Sequence, residues 1–487
     1  MKIRLFLLNP LFYIFLLIII LRYIGTNHGF PYIYNVDEPT LVKTTLDLRF
    51  SPWIDRFDWP HFNYYFHFIF YWIFIKFRAL VQMVGLDGSI KSVFPIIWDD
   101  PFIFYVVSRI INTTLSIVSV IPVFYITKGI YSKKTAIITA ISYLLFPYLA
   151  SHSRYAIQDS AMMAWLAFYY WFLYRYWNSK RIKDLLLSAV FIGLATGVKY
   201  NAVLFSSAIP ILLFLQMKTR SLPEMLDYIK RNILAGILVI GVFLLVCPSV
   251  IYYFELFWSN KPGVGIFWQL QANLVKYTLI ETPYRAFLDY LDILKGTGIL
   301  LSIGFILYPI FYRRLNITKE NKIFMIVFWL ISVGYFFYAT RIVLSGPRFY
   351  LPIYPLIAMI GAFIYFELSK FKYYKYISNF YIAILFGVVV FQTIAFTQES
   401  TVNLAYFKYQ ELSKTNDVYI RGEDIERLNL VNNLGLRKLR PTTQLAQGNY
   451  IIGSRPLKLE NAELVDTIEK MEGYNRLGPT IYIYRHN

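Results

Sequence analysis

The sequence predicts an all-α polytopic membrane protein of about eleven transmembrane helices, with a small C-terminal α/β domain outside the membrane. Three observations carry that reading. Of 487 residues, 57% are hydrophobic and only 16% are charged, with a mean hydropathy of +0.48; soluble chains run near about 45–50% apolar and about 25% charged. Apolar runs of ~20 residues, long enough to cross a bilayer as helix, recur along the chain. Lys and Arg cluster in short loops that fall on one side once those runs are threaded through a membrane. Soluble enzymes, disordered chains and fibrous repeats are thereby excluded. The net charge of +19 is spread over loops instead of one soluble face, so it reads as topology and not as nucleic-acid binding.

The first run, Leu5 to Ile24, follows Lys2 and Arg4. No small-x-small cleavage site comes after it, so it reads as an uncleaved anchor and not a signal peptide. Further spans are expected near 102–127, 135–151, 159–176, 184–199, 202–217, 232–252, 296–312, 323–340, 350–368 and 377–396. The stretch Phe62 to Val84 is ambiguous. If it does not cross, one face collects Lys2/Arg4, Lys128/Lys133/Lys134, Arg175/Lys180/Arg181/Lys183, Lys218/Arg220/Lys230/Arg231, Arg313/Arg314/Lys319/Lys322 and Lys370/Lys372/Lys375. If it crosses, these clusters are split between the two sides. The positive-inside rule therefore favours eleven spans, with the N-terminus cytoplasmic and the C-terminus outside. Residues 62–84 then form an aromatic helix lying at the outer interface, with Lys76 and Arg78 snorkelling. The rival reading is a true span with an unusual charge pattern.

The chain divides into a membrane domain, 1–396, and an outer tail, 397–487. The membrane domain carries a long first outer loop, 25–101, and a second, 253–295. The tail holds strand-like runs at Asp417–Ile420, Tyr450–Ile452 and Thr480–Tyr484, and a helix-like stretch at Ala462–Met471. The inner loops are short, so any chemistry faces outward. There is no P-loop and no GxGxxG after a strand, so no nucleotide site is expected. The lone Cys247 sits in an apolar run, unsuited to a disulfide, a thiolate metal site or nucleophilic work.

Polar residues on the outer side need a reason. Asp37 and Glu38 precede Pro39; Asp37 can cap the helix that Glu38-Pro39 opens, or serve as a general base close to the membrane. Asp159 can likewise cap a helix, or put a second carboxylate beside the first, with Arg154 a few residues away; two such acids could share base work or a divalent cation. Lys199, followed by Tyr200, is a snorkelling lysine or a cation for a phosphate. Arg341 and Arg348 stand outside against the charge trend, and arginine is the preferred bidentate phosphate ligand. Outer arginines beside outer acids suggest an anionic substrate at the membrane surface, for which a lipid phosphate fits best.

The order of these features resembles the GT-C glycosyltransferases, and within them glycosyltransferase family 39, which includes protein O-mannosyltransferases and lipid A aminoarabinose transferases. The matching segments are Asp37-Glu38, the Pro-aromatic stretch Trp59 to Tyr65, Arg109, Arg154 to Asp159, Gly193-Leu194-Ala195-Thr196-Gly197-Val198-Lys199-Tyr200, and Pro347 to Pro355 with Phe349 where the family has Tyr. The resemblance covers about 25–370. It implies a GT-C fold and an inverting transfer from a polyprenyl-phosphate sugar donor to a protein, lipid or glycan hydroxyl on the outer face. It implies Asp37 as base, with Glu38 and Asp159 in the catalytic set. Lys199, Tyr200, Arg348, Arg341, Arg154, His61, Tyr64 and Tyr350 are the implied substrate-binding residues. A Glu-Lys-Pro-Pro segment of many relatives is replaced by Asp58-Trp59-Pro60-His61, so its phosphate-contacting lysine is missing there. The large lumenal insertion of eukaryotic relatives is also absent, which favours a prokaryotic plasma membrane. Other readings of the same residues are a transporter or flippase of a lipid-linked or anionic solute, and a surface-glycan ligase or polymerase; transporters usually show internal repeats, and none is evident.

Overall fold

The structure is a computed structural model that describes residues 10–29, 33, 35, 37–93, 102–272, 282–341, 347–398, 400–421, 436–439, 445–454, 456, 462–468 and 480–486. Expectations that concern Lys2, Arg4, residues 5–9 of the first run and residues 469–471 of the tail lie outside these residues. Where described, every expected apolar run falls on helix. Among the described residues, six helices are long and apolar enough to cross a membrane: Phe62–Met83, Phe102–Ile130, Leu222–Val246, Lys319–Thr340, Pro347–Leu368 and Tyr374–Leu412. Leu11–Tyr23, Tyr200–Gln216 and Ile299–Phe311 are shorter apolar helices.

Several runs are broken, and the breaks have local causes. Phe146 precedes Pro147 and is forced to ψ 115, so the helix Lys133–Leu144 ends before the short helix Pro147–His152 begins. Pro210 cannot donate to Ser206 and crowds its carbonyl, and the run opens as a 3-10 segment, Tyr200–Ser207, before Ala208–Gln216 turns α-helical. Lys199, extended at φ −152 and ψ 124, joins the helix Ile182–Val198 to this segment. Pro347–Ile353 is a second 3-10 segment, with Pro352 inside it. Both breaks lie where candidate cations were read in the sequence.

The helix Ile182–Val198 packs against Leu222–Val246 through two glycines one turn apart. A Cβ on Gly193 would lie 2.9 Å from the Val239 carbonyl oxygen, and one on Gly197 would lie 2.6 Å from Val246 Cγ2 and 3.1 Å from Phe62 Cβ. Small residues at this spacing let two backbones approach closely without polar glue.

The helix Phe62–Met83 packs on the helices Glu38–Asp47, Phe102–Val118 and Asp159–Ser179 through its first half. Phe62 and Phe66 pack on Trp165, at 5.7 and 5.8 Å between ring centroids. The Tyr71 hydroxyl reaches the Phe104 carbonyl at 3.0 Å and Ser108 Oγ at 2.5 Å. Trp165 and Ser108 each lie about two turns into the helices Asp159–Ser179 and Phe102–Val118. Ile69, Trp72, Ile73 and Phe77 are exposed along the helix.

In the tail, the helix Thr401–Leu412 covers a four-stranded sheet of β1 (Val418–Arg421), β2 (Tyr450–Gly453), β3 (Ala462–Ile468) and β4 (Ile481–His486), ordered β1-β2-β4-β3. β1 and β2 are parallel; the other pairs are antiparallel. Val402 and Ala405 pack on Val418, Ile420, Ile452, Ile481 and Ile483. The expected helix at Ala462–Met471 is corrected where it is described: 462–468 is the edge strand β3. Ala, Glu and Leu favour helix locally, but Val465, Thr467 and Ile468 suit a strand, and pairing with β4 decides the outcome. Asn403 Nδ2 donates to the Gly29 carbonyl at 3.0 Å, tying the tail to the first outer loop.

Candidate active site

Four charged side chains, distant in sequence, meet on the wall of one cleft of about 570 Å³: Asp37, Asp159, Lys199 and Arg348. Asp37 occupies the N-cap position of the helix Glu38–Asp47, yet its side chain makes no capping hydrogen bond. Its carboxylate instead forms an ion pair with the Arg348 guanidinium. Asp159 is the first residue of its helix and is equally unused as a cap: its Oδ1 accepts a hydrogen bond from Lys199 Nζ at 2.5 Å. Its Oδ2 lies 3.4 Å from His152 Nε2, and His152 stacks on Tyr148. The capping readings of both acids therefore give way to ion pairing.

The helix breaks aim the cations. Each lies at a 3-10 segment whose backbone has left the α-helical path. The ring of Phe349 joins them, with Lys199 Nζ 4.6 Å and the Arg348 guanidinium carbon 5.4 Å from its centroid. A hydrogen-bond chain holds the two segments in register: Asn201 Nδ2 donates to the Tyr335 hydroxyl at 2.7 Å, which donates to the Phe349 carbonyl at 3.0 Å. Trp59, Pro60, Ile157 and Phe257 contribute to the apolar part of the wall. Val203, Leu204 and Tyr338, each more than 40% exposed, carry that wall to the outside of the helix bundle. The arrangement suits a molecule with an anionic head, taken by paired cations, and an apolar tail.

Tyr200 also lines the cleft, and its hydroxyl donates to the Phe57 carbonyl at 3.0 Å. Six other expected site residues are elsewhere or otherwise engaged. Glu38 is fully buried; its carboxylate takes Arg109 Nε at 2.7 Å, a second Arg109 nitrogen at 2.8 Å and the Ala156 amide at 2.7 Å. It clamps Arg109 and the Ala156 amide and is not among the described residues that line the cleft. Arg154 is buried as well and donates to the carbonyls of Ile24, Ala150 and Leu21 and to Thr393 Oγ1, which ties the end of Pro10–Tyr23 to Tyr374–Thr397. His61 is fully buried, with Nε2 on the Arg56 carbonyl at 2.7 Å, and burial pushes its imidazole down to about 4. Tyr64 is buried beneath the first loop. Tyr350 turns from the cleft and donates to Asp289 Oδ2 at 2.6 Å. Arg341 sits at the C-cap of Lys319–Thr340, apart from the described residues that line the cleft.

Sequence reasoning passed over Phe349 as a platform for the cations, and Asp58, which lines the cleft while paired with Arg56. It also passed over Gln158, Asn201 and Gln269 on the wall. Asp58 was noticed only as a departure from a family pattern; the others carry no signal in a single sequence. Among the described residues, no group of three or more His, Cys, Asp and Glu side chains could hold a metal ion. Asp37 and Asp159 each carry a cationic partner already, so the pair does not fit a divalent cation as arranged.

Residues 105–252 match the family model described as dolichyl-phosphate-mannose-protein mannosyltransferase. No curated protein sequence matches the chain. Among solved structures, the chain is similar to ArnT from Cupriavidus metallidurans in the apo state, at 11% identity over 90% of this chain and 92% of that one, with a TM-score of 0.52. The same protein bound to undecaprenyl phosphate gives 10% identity, 96% and 97% coverage and a TM-score of 0.48. The oligosaccharyltransferase of Archaeoglobus fulgidus in the apo form gives 8%, 87%, 64% and 0.47. The chain has the fold of the GT-C glycosyltransferases, and the stretch of it from residue 105 to 252 matches their protein mannosyltransferase family.

Proposed function

We propose that the protein is an inverting membrane glycosyltransferase that moves a sugar from a polyprenyl-phosphate donor to an acceptor hydroxyl on the outer face of the cell membrane. The observation that carries this is the convergence of Asp37, Asp159, Lys199 and Arg348 on one cleft whose apolar wall opens to the side of the bundle. A phosphate head fits the two cations, and a prenyl chain fits the wall formed by Val203, Leu204 and Tyr338. The match to a family described by its dolichyl-phosphate-mannose donor supports the same substrate class.

In this reading Asp37 accepts the proton of the acceptor hydroxyl. The acceptor oxygen forms the new bond to the anomeric carbon from the side opposite the phosphate. The bond from that carbon to the phosphate oxygen breaks, and polyprenyl phosphate leaves with the electron pair. Lys199 and Arg348 offset the charge that grows on the leaving oxygen. Asp159 holds Lys199 in place. In this reading the cleft faces outward with the first and second loops, which the clustering of Lys and Arg in the loops of the other side supports.

Purified protein incubated with a radiolabelled polyprenyl-phosphate monosaccharide tests the reading. Transfer or slow hydrolysis of the label is expected, and Asp37→Asn should abolish it. Full activity in that variant would remove Asp37 from the role of base; no turnover by wild type with any common hexose or pentose donor would remove the reaction.

A further inference from the structure

The two ion pairs in the cleft are not equally free to open. Asp159 and Lys199 have side-chain exposures of 3% and 17%, and Asp159 is also faced by His152. Separating them would leave a carboxylate uncompensated in the interior, which is strongly unfavourable. Asp37 and Arg348 have exposures of 26% and 34%. The more exposed of two pairs is the more weakly held, so this one exchanges partners more readily. Arg348 is also the cation that a phosphate can take with bidentate geometry.

From this asymmetry we infer that the Asp37–Arg348 pair is an autoinhibitory latch that an incoming polyprenyl phosphate opens. The inference rests on the donor class proposed above. Without donor, Arg348 tethers the Asp37 carboxylate and the two charges neutralise one another. When the phosphate head enters, it competes for Arg348 with the advantage of a second charge-assisted contact to Lys199. Arg348 moves onto the phosphate, and Asp37 is released to receive an acceptor hydroxyl. The Asp159–Lys199 pair stays closed and acts as the fixed half of the site, while Phe349 keeps Arg348 within reach of Lys199 during the exchange. Donor therefore binds before the base is available, and a carboxylate poised against an empty site is avoided.

The latch makes a prediction opposite to simple expectation for a catalytic carboxylate: removing it should improve donor-product binding. Undecaprenyl phosphate binding is measured in detergent for wild type, Asp37→Asn, Arg348→Gln and the double variant, with melting curves to show that all four fold. Asp37→Asn should bind about fivefold tighter than wild type, the factor set by one partly exposed ion pair. In the Arg348→Gln background the same substitution should change affinity by less than about twofold, because there is no latch left to open. Unchanged or weaker binding by Asp37→Asn overturns the latch. Equal tightening in both backgrounds also overturns it, since that is repulsion between Asp37 and phosphate with no part for Arg348. If none of the four proteins binds undecaprenyl phosphate, the donor reading fails and the latch with it, a result distinct from binding that ignores Asp37.

Discussion

Asp37 and Glu38 are neighbours, both acidic, and both stand where a general base was expected, yet their surroundings assign them opposite work. Replacing Glu38 by Gln is the sharpest test of that division. The Glu38 carboxylate and the Arg109 guanidinium are completely buried and joined by two parallel hydrogen bonds, with the Ala156 amide as a third donor to Glu38. Arg109 also donates to the carbonyls of Thr26 and His28, so this carboxylate is the charge that neutralises a knot of first-loop backbone. Gln keeps the shape but leaves the arginine charge uncompensated, which for a buried pair costs about 3–5 kcal/mol. With an unfolding entropy of about 2.1 cal/mol/K per residue, a chain of this length should melt about 3–5 °C lower. Asp37→Asn breaks a partly exposed pair worth about 0–1 kcal/mol and should shift melting by about 1 °C or less. The assay is tryptophan-fluorescence melting in detergent beside donor turnover; the ten tryptophans supply the signal. Glu38→Gln should lose stability and keep part of its turnover at low temperature, whereas Asp37→Asn should keep stability and lose turnover. A Glu38→Gln variant that melts like wild type but is inactive would refute the clamp and return Glu38 to the catalytic set.

Lys199→Met should abolish donor binding and also lower the melting temperature, because Asp159 is left buried without its cation at a cost of about 3 kcal/mol; wild-type donor affinity in that variant would exclude Lys199 from the phosphate site. Gly197→Val should destabilise by about 1–3 kcal/mol, since even a Cβ there meets Val246 and Phe62; an unchanged melting curve would show that the two helices separate easily. Acid should destabilise the first loop through His61. Its folded-state value is depressed to about 4 by burial, so the stability of its neutral form is complete above about pH 6.5 and is lost as pH falls from there toward 4, to a limit of about 3 kcal/mol. The drop in melting temperature between pH 7.5 and 4.5 should be smaller in His61→Gln than in wild type; equal drops would assign the acid sensitivity to other groups.

The fold was legible because its signals are local and additive. A run of twenty apolar residues is visible without knowing its neighbours, whereas the breaks at Pro147, Pro210 and Pro352 fall inside runs that read as continuous spans. The strand β3 was not legible, because its local composition favours helix and only its partner Ile481–His486 decides otherwise. In the candidate site, Asp37, Asp159, Lys199 and Arg348 could be picked out as charges at the outer ends of apolar helices. Their pairing could not be read, since Asp37 meets Arg348 across more than three hundred residues.

The expected site residues that do not line the cleft share a physical trait. Glu38, Arg154, His61, Tyr64 and Tyr350 are polar groups near the ends of apolar helices, as the site residues are. A single sequence offers no way to tell a polar group that serves a substrate from one that serves backbone left unpaired by a broken helix. This chain breaks its helices often, and each break releases carbonyls that need donors inside an apolar surround. Arg22 takes the carbonyls of Leu144 and Leu149 around the break at Phe146-Pro147, and Arg154 takes those of Leu21, Ile24 and Ala150. Arg109 does the same for Thr26 and His28. These three fully buried arginines are the means by which irregular backbone is tolerated next to the cleft. The distinguishing property is what remains for a ligand: the buried arginines spend their donors on carbonyls and hydroxyls, and Arg109 on the fully buried Glu38 as well, whereas Arg348 and Lys199 pair with carboxylates on the wall of the cleft and lie against the Phe349 ring. A cation held by a carboxylate can be handed to a phosphate, because the exchange replaces one anion by another. A cation held by several carbonyls has no such exchange to make, and that difference separates the site from its scaffold.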